Sequence, residues 1–330
     1  MSAHREANSS SSKSFIYMAL VTALLTVGLI VFGAVVRVTD SGLGCGSDWP
    51  LCNGTIVPPL DNVTAWIEWL HRLFAVLIGL FGLGTLAVAM RAYRRRESAV
   101  LGFTVAAAVL FALQAGLGAI VVIYELPPTF VTLHLGVAML LLAALLVAAI
   151  AAAHKPRATY PRDSVTVLAY ANAAFVLVII LTGALVRGSG ATLACVDWPL
   201  CNGEIIPAAQ GQLAMIHMIH RLAVGALGIT MLILVWQVYR LRQDAFVRGL
   251  SVAAFVVYLM QAGVGAMYVW SVAGPEWGAA HVGMAATTWA LLVVLSTIEA
   301  LNVSDMVAKQ KDQELEWNQQ SDIVSNPARR

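Results

Sequence analysis

Apolar residues run along this chain in eight long blocks separated by polar segments. A membrane-crossing helix needs about 20 mostly apolar residues. The blocks that qualify span 15–37, 66–90, 98–123, 130–153, 164–187, 213–239, 247–271 and 278–301. The pattern predicts an all-α membrane protein with eight transmembrane helices. Ahead of the first block lies a polar leader with a serine run from Ser9 to Ser12. The apolar run after it, Phe15 to Val36, is longer than the ~7–15 residues of a signal-peptide core, so it reads as a retained helix. The short leader and Glu6 argue against a mitochondrial transit peptide, which is longer, Arg-rich and poor in acids.

Composition supports this reading. Hydrophobic residues make up 59% of the chain and charged residues 12%, against about 25% charged in a soluble domain. The net charge of +2 and the lack of a basic patch interleaved with aromatics exclude nucleic acid as a partner.

Charge also orients the helices. Arg91, Arg94, Arg95 and Arg96 follow the second block, Lys155, Arg157 and Arg162 the fourth, and Arg240, Arg242 and Arg248 link the sixth to the seventh. The alternate loops, 38–65, 124–129, 188–212 and 272–277, contain no Lys or Arg. The positive-inside rule places both termini in the cytoplasm and these four loops outside. All four cysteines fall in the outer loops, Cys45 and Cys52 in the first, Cys195 and Cys201 in the third. Disulfides persist outside, so Cys45–Cys52 and Cys195–Cys201 are expected to close short loops over the bundle mouths. A redox-active pair is the alternative. A four-thiolate metal site fits poorly with an oxidising compartment and separate bundles.

The two halves repeat. Asp48-Trp49-Pro50-Leu51-Cys52-Asn53-Gly54 recurs identically as Asp197-Trp198-Pro199-Leu200-Cys201-Asn202-Gly203. Gly33-Ala34-Val35-Val36-Arg37 returns as Gly183-Ala184-Leu185-Val186-Arg187, and His71-Arg72-Leu73 as His220-Arg221-Leu222. Gln114-Ala115-Gly116-Leu117-Gly118-Ala119 returns as Gln261-Ala262-Gly263-Val264-Gly265-Ala266, and His134-Leu135-Gly136 as His281-Val282-Gly283. An even number of helices per half makes this a parallel repeat. The expected architecture is two pseudo-symmetric four-helix bundles side by side, each with its own site. The organisation predicted is a cytoplasmic N-terminal segment 1–14, an N-terminal bundle 15–153, a cytoplasmic linker 154–163, a C-terminal bundle 164–301 and a polar cytoplasmic tail 302–330.

Five of the seven histidines lie inside the predicted spans, where ionisable residues are costly and point to function. His4 and His154 lie in polar segments. His71, His134, His220 and His281 all fall in the first turns of helices that start outside, at similar depth, so the two of each half can face one another. They could be buried histidines satisfied by interhelical hydrogen bonds. A zinc site would fall short of its usual three or four protein ligands. Axial ligation of haem iron by paired imidazoles suits the pattern. The small residues of the Gln-Ala-Gly-x-Gly-Ala motif would let a flat ring approach the backbone, although small residues also serve ordinary helix packing. Arg37, Arg72, Arg187 and Arg221 are candidates to pair haem propionates, with snorkelling to the interface as the alternative.

One nearby position breaks the repeat. Three residues before the first ligand stands Glu68, and in the second half His217. Spacing i, i+3 puts each on the face of its ligand. A carboxylate there can act as a base or stabilise developing positive charge, or it can simply favour the helix N-terminus. The first half is therefore expected to do chemistry and the second to carry electrons, with His217 bonding a propionate or a loop.

Together, Glu68-x-x-His71-Arg72, His134, His220-Arg221, His281 and the paired-cysteine loops resemble the haem A synthase family over about 15–301. The resemblance implies an oxidoreductase that converts the C8 methyl of haem O to a formyl group through an alcohol, for haem-copper oxidases. It implies haem O between His71 and His134 and a permanent haem b between His220 and His281. Glu68 matches the family's catalytic carboxylate, and Cys45 and Cys52 match a pair implicated in the reaction. The paired cysteines suggest a bacterial or archaeal plasma-membrane member. Haem O synthase is a candidate partner, a quinone is one candidate electron acceptor, and a homo-oligomer stays open. With both axial positions filled, water is the expected oxygen source. A di-haem b protein that oxidises quinol, or a haem carrier, are the alternatives.

Overall fold

The computed structural model describes residues 2–93, 98–156 and 159–303. Arg94, Arg95, Arg96, Arg157 and the tail beyond 303 lie outside the described residues. The elements are α1 (Ser2–Val38), α2 (Val63–Tyr93), α3 (Ser98–Ile123), α4 (Pro128–Ala153), α5 (Ser164–Gly188), α6 (Gln212–Leu241), α7 (Ala245–Trp270) and α8 (Pro275–Asn302). Each is long and apolar enough to cross a membrane, and the described residues hold no β-strand beyond isolated bridges.

The ends of these helices follow local chemistry. Pro128 and Pro275 occupy the first turns of α4 and α8, where a missing N–H costs nothing and the fixed φ suits the helix. Both helices therefore begin ahead of their apolar runs. Asp163 and Asp244 cap α5 and α7 by accepting backbone N–H groups of the first turn. The polar leader, expected to stand apart from the first span, winds into α1.

Within each half the same neighbours touch: α1 with α2 and α4, α2 with α3, α3 with α4, and correspondingly α5 with α6 and α8, α6 with α7, α7 with α8. The halves also meet, through α1 on α8, α4 on α5 and α4 on α8. One core consequently spans both, with Met139 and Leu142 of α4, Val176 of α5, Leu234 of α6 and Leu292 of α8. Small residues on α4 and α8 lie in this core, among them Ala138, Ala285 and Ala286. The Trp289 indole donates to the Met139 carbonyl at 2.9 Å across this seam.

Arginine closes the end opposite the cysteine loops. Arg242 is 4% exposed and its guanidinium bonds Glu299 at 2.6 Å and Asp163 at 2.8 Å. Glu299 is fully buried. The Tyr160 hydroxyl donates to Glu299 at 2.7 Å while its ring lies 3.7 Å under the Arg242 guanidinium. Burial pushes the Tyr160 phenol up to about 12, so it stays a donor. The linker between the halves is thus tied to the ends of α6 and α8. Removing one partner of such a pair typically costs about 3–5 kcal/mol because the other charge stays buried.

Hydrogen bonds from Arg242 hold the Asp163 carboxyl below the usual carboxylate range. Its stabilisation is present above the unfolded value of about 3.9 and is lost as pH falls through the lower folded value. Asp163→Asn keeps a capping side chain and removes the charge. The variant should melt below wild type at pH 7 in detergent, with the gap closing below about pH 4. A gap unchanged at pH 2 would assign the effect to packing instead.

Candidate functional site

His71 on α2, His134 on α4, His220 on α6 and His281 on α8 line one cavity of about 1430 Å³ near the cysteine loops. Pockets for one small ligand run to about 300–1,000 Å³. This cavity therefore has room for more than one, and it is continuous across the halves where the sequence led us to expect a separate site in each. Trp49, Pro50 and Ile56 of the first loop and Trp198, Pro199 and Ile205 of the third lie on its wall.

Glycine explains how the imidazoles fit. A methyl added to Gly33 would lie 3.1 Å from Cε1 of His71, and one on Gly183 would lie 3.1 Å from Cε1 of His220. The corresponding distances are 3.2 Å from Gly118 to His134 and 3.0 Å from Gly265 to His281. Each ring thus lies against a neighbouring helix at a position where any side chain would crowd it. The flat ring that these small residues accommodate is the imidazole itself. The first glycine of each Gln-Ala-Gly-x-Gly-Ala motif, Gly116 or Gly263, faces open space.

The hydrogen bonds of the four imidazoles differ between the halves. The Thr182 hydroxyl donates to the Ile179 carbonyl at 2.8 Å, so its oxygen accepts from Nδ1 of His220 at 3.0 Å. His281 Nδ1 donates to the Gln261 carbonyl at 3.2 Å. Both second-half rings are thereby fixed with a bare Nε2. In the first half, Nδ1 of His71 is buried without a partner among the described residues, and Nδ1 of His134 is buried facing the Gln114 backbone without a well-formed bond. Phe32 packs beside His71 with ring centroids 5.9 Å apart. Nε2 of His134 is engaged by the Gln114 side-chain amide at 3.1 Å.

Glu68 is 3% exposed and sits on the cavity wall one turn before His71. One carboxylate oxygen accepts from Arg72 at 2.5 Å and the other from the Cys45 backbone N–H at 2.9 Å. At the matching place His217 is 6% exposed, and its Nδ1 has no partner among the described residues. Cys45–Cys52 and Cys195–Cys201 are both disulfides, and none of these sulfurs lines the cavity. The Cys45 amide ties the first disulfide to Glu68.

The four arginines all line the cavity. Arg72 also donates to the Leu51 carbonyl at 2.9 Å. Arg221 donates to the Asp197 carbonyl at 2.7 Å and to the Leu200 carbonyl. Each therefore clamps its own loop down beside its histidine, a role the sequence did not reveal. Arg187 bonds Asp40 at 3.2 Å and the Arg37 carbonyl at 3.3 Å. The Nε groups of Arg37, Arg72 and Arg187 are buried with no partner among the described residues. The lining holds four arginines against one carboxylate, Glu68. Such a cavity favours anionic ligands. Paired imidazoles, spare guanidinium donors and ample volume fit haem with its propionates.

Sequence reasoning missed Phe32, Thr182, Leu141 and Thr288, and the two roles of Gln114 and Gln261. The repeat offers the signal. Setting Gly33 on Gly183 pairs Phe32 with Thr182, and setting His134 on His281 pairs Leu141 with Thr288.

Residues 16–293 match a family model described as COX15-CtaA, cytochrome oxidase assembly protein. A Heme A synthase of Symbiobacterium thermophilum is 32% identical over 278 residues, covering 81% of this chain and 89% of that protein. One from Halalkalibacterium halodurans is 34% identical over 239 residues, covering 69% and 77%. One from Bacillus cereus is 28% identical over 314 residues, covering 89% and 97%.

The glycine contacts make a prediction internal to one motif. Gly265→Ala should displace His281 and lower the haem bound per chain, read by pyridine haemochrome. Gly263→Ala should leave haem content unchanged and stabilise the helix by up to about 1 kcal/mol. Equal haem loss in both variants would sink the contact argument.

Proposed function

The chain belongs to the haem A synthase family, and from that membership we propose that it oxidises the C8 methyl of haem O to a formyl group, by way of an alcohol, for haem-copper oxidases. The observation that carries this reading is Glu68. It is a buried carboxylate on the cavity wall, one turn from a histidine, in one of two otherwise duplicated sites. A protein that only passed electrons would give it no role.

On this reading His71 and His134 take the iron of the substrate, and His220 and His281 hold haem b as the resident cofactor. Haem b held there would supply a one-electron acceptor. Two imidazoles holding the substrate iron would leave no position there for dioxygen. The methyl is then oxidised by loss of electrons, and water supplies the oxygen. Each of the two oxidation steps removes an electron pair and its protons. Glu68 takes a proton at the reacting carbon or from the attacking water, and stabilises positive charge as it develops. Arg72 and the Cys45 amide hold the carboxylate in place. The arginines pair the propionates and so set the ring's orientation.

Electrons leave by the haem b half, or by the Cys45–Cys52 disulfide, towards an acceptor of the quinone class. Haem O synthase would supply the substrate. We place the cavity toward the outer face of a bacterial or archaeal plasma membrane, because the loops at that end lack Lys and Arg.

Pigment extraction from membranes supplied with haem O tests the assignment. Wild type should yield haem A or its alcohol precursor. Glu68→Gln should bind both haems yet slow conversion by about 10²–10⁴-fold. Haem b alone, with Glu68→Gln without effect, would favour an electron-transfer protein. Label from ¹⁸O-water should enter the formyl oxygen. Label from dioxygen instead would rule out the electron-removal route.

A further inference from the structure

We propose that the second histidine pair is built to retain its haem and the first to exchange it. Thr182 and Thr288 are the positioning residues that set the difference, and Phe32 and Leu141 are their first-half counterparts. The inference rests on the haem A synthase reading and names residues that the reading does not use.

A group that stays and a substrate that must leave make opposite demands on identical ligands. A hydrogen bond to the second nitrogen of a metal-bound histidine fixes its tautomer and orientation and raises its basicity. Loss of such a bond typically costs 10–100-fold in metal affinity. In the second half both ligands have this bond, from His220 to Thr182 and from His281 to the Gln261 carbonyl. In the first half His71 lacks it, since its Nδ1 is unpaired among the described residues, and Nδ1 of His134 faces the Gln114 backbone without a well-formed bond. Where Thr182 offers a hydroxyl, Phe32 offers only a ring edge or face.

The glutamines reinforce the contrast. The Thr288 hydroxyl, which donates to the Met284 carbonyl at 3.0 Å, lies 3.2 Å from the Gln261 side-chain amide and so holds that amide away from Nε2 of His281. Leu141 cannot do this, and the Gln114 amide lies on Nε2 of His134 instead. Whichever way the Gln114 amide is turned, it competes with iron for the ligating nitrogen. The Gln114 oxygen is buried with no partner among the described residues, so nothing anchors the amide elsewhere. Gln114 thus caps His134 when substrate is absent and must be displaced when it binds. That lowers the net affinity for haem O, and equally for the haem A that has to depart.

The test uses purified protein in detergent carrying haem b and haem O, mixed with excess apomyoglobin as a haem scavenger. Haem remaining on the protein is extracted at intervals and separated by chromatography, which distinguishes haem b from haem O by the farnesyl tail. Wild type should lose haem O and keep haem b. Thr182→Val should lose haem b about 10–100-fold faster, with haem O loss unchanged. Thr182→Ser should restore retention. The midpoint potential of haem b should rise in Thr182→Val, as a less basic imidazole stabilises ferric iron less, and return in Thr182→Ser. The pair Phe32→Thr with Leu141→Thr should slow haem O loss. Wild-type loss of both haems at one rate, or haem b loss in Thr182→Val at the wild-type rate, would overturn the proposal. If haem O is never converted but one tight haem b still depends on Thr182, the synthase reading fails and the retention proposal stands.

Discussion

A neutral imidazole carries one N–H and one lone pair, and each buried without a partner costs roughly 1–3 kcal/mol. A helix in lipid has no water to supply the missing partner. This protein holds four imidazoles under that constraint, on α2, α4, α6 and α8, around one cavity. The surrounding structure follows from how each nitrogen is satisfied. Glycine brings every ring against a neighbouring backbone. Thr182 and the Gln261 carbonyl then take the second-half N–H groups. What is left over, the bare Nε2 of both second-half rings, is the unmet demand that a ligand has to meet.

Arginine works at both ends of the helices, by different physics. Arg242 is enclosed by Asp163, Glu299 and Tyr160, so its charge is spent inside the protein on joining the linker to α6 and α8. Around the cavity, Arg72 and Arg221 use part of their donor set to clamp the loops. Arg37 and Arg187 lie where the halves meet, and three of these four groups keep a buried Nε–H with no partner among the described residues. Positive charge with unused donors beside paired imidazoles is a demand for an anionic ring system, not for a bare cation.

The helices were legible in the sequence because a bilayer imposes one length and one composition on every span. The repeat was legible because identical heptapeptides carry the loops. The cysteine pairing followed from compartment and spacing. The role of Arg242 was not legible, since as a basic residue between two spans it reads as an orientation signal. Its burial depends on Glu299 and Asp163, which are distant in sequence. The single cavity was hidden for a related reason. Four helices in each half suggest two independent bundles, but α4 packs on α8, and the four histidines line one cavity. The glycines could be read as small residues, yet only geometry separates Gly118, which touches His134, from Gly116, which touches nothing.

Two asymmetries fall on the same half, although nothing in the repeat couples them. Glu68 replaces a histidine three residues before one ligand, on α2. Phe32 and Leu141 replace hydroxyls beside the two ligands, from α1 and α4. The first change adds a group able to handle protons. The others remove the bonds that would hold a ligand permanently. A site that transforms its haem must also release it, whereas a site that relays electrons gains nothing from release and loses its cofactor by it. Chemistry placed in the retaining half would trap its product, and exchange placed in the relaying half would empty it. Starting from duplicated ligands, the divergence therefore had to put the carboxylate and the looser imidazoles together, and residues on three different helices of the first half do so.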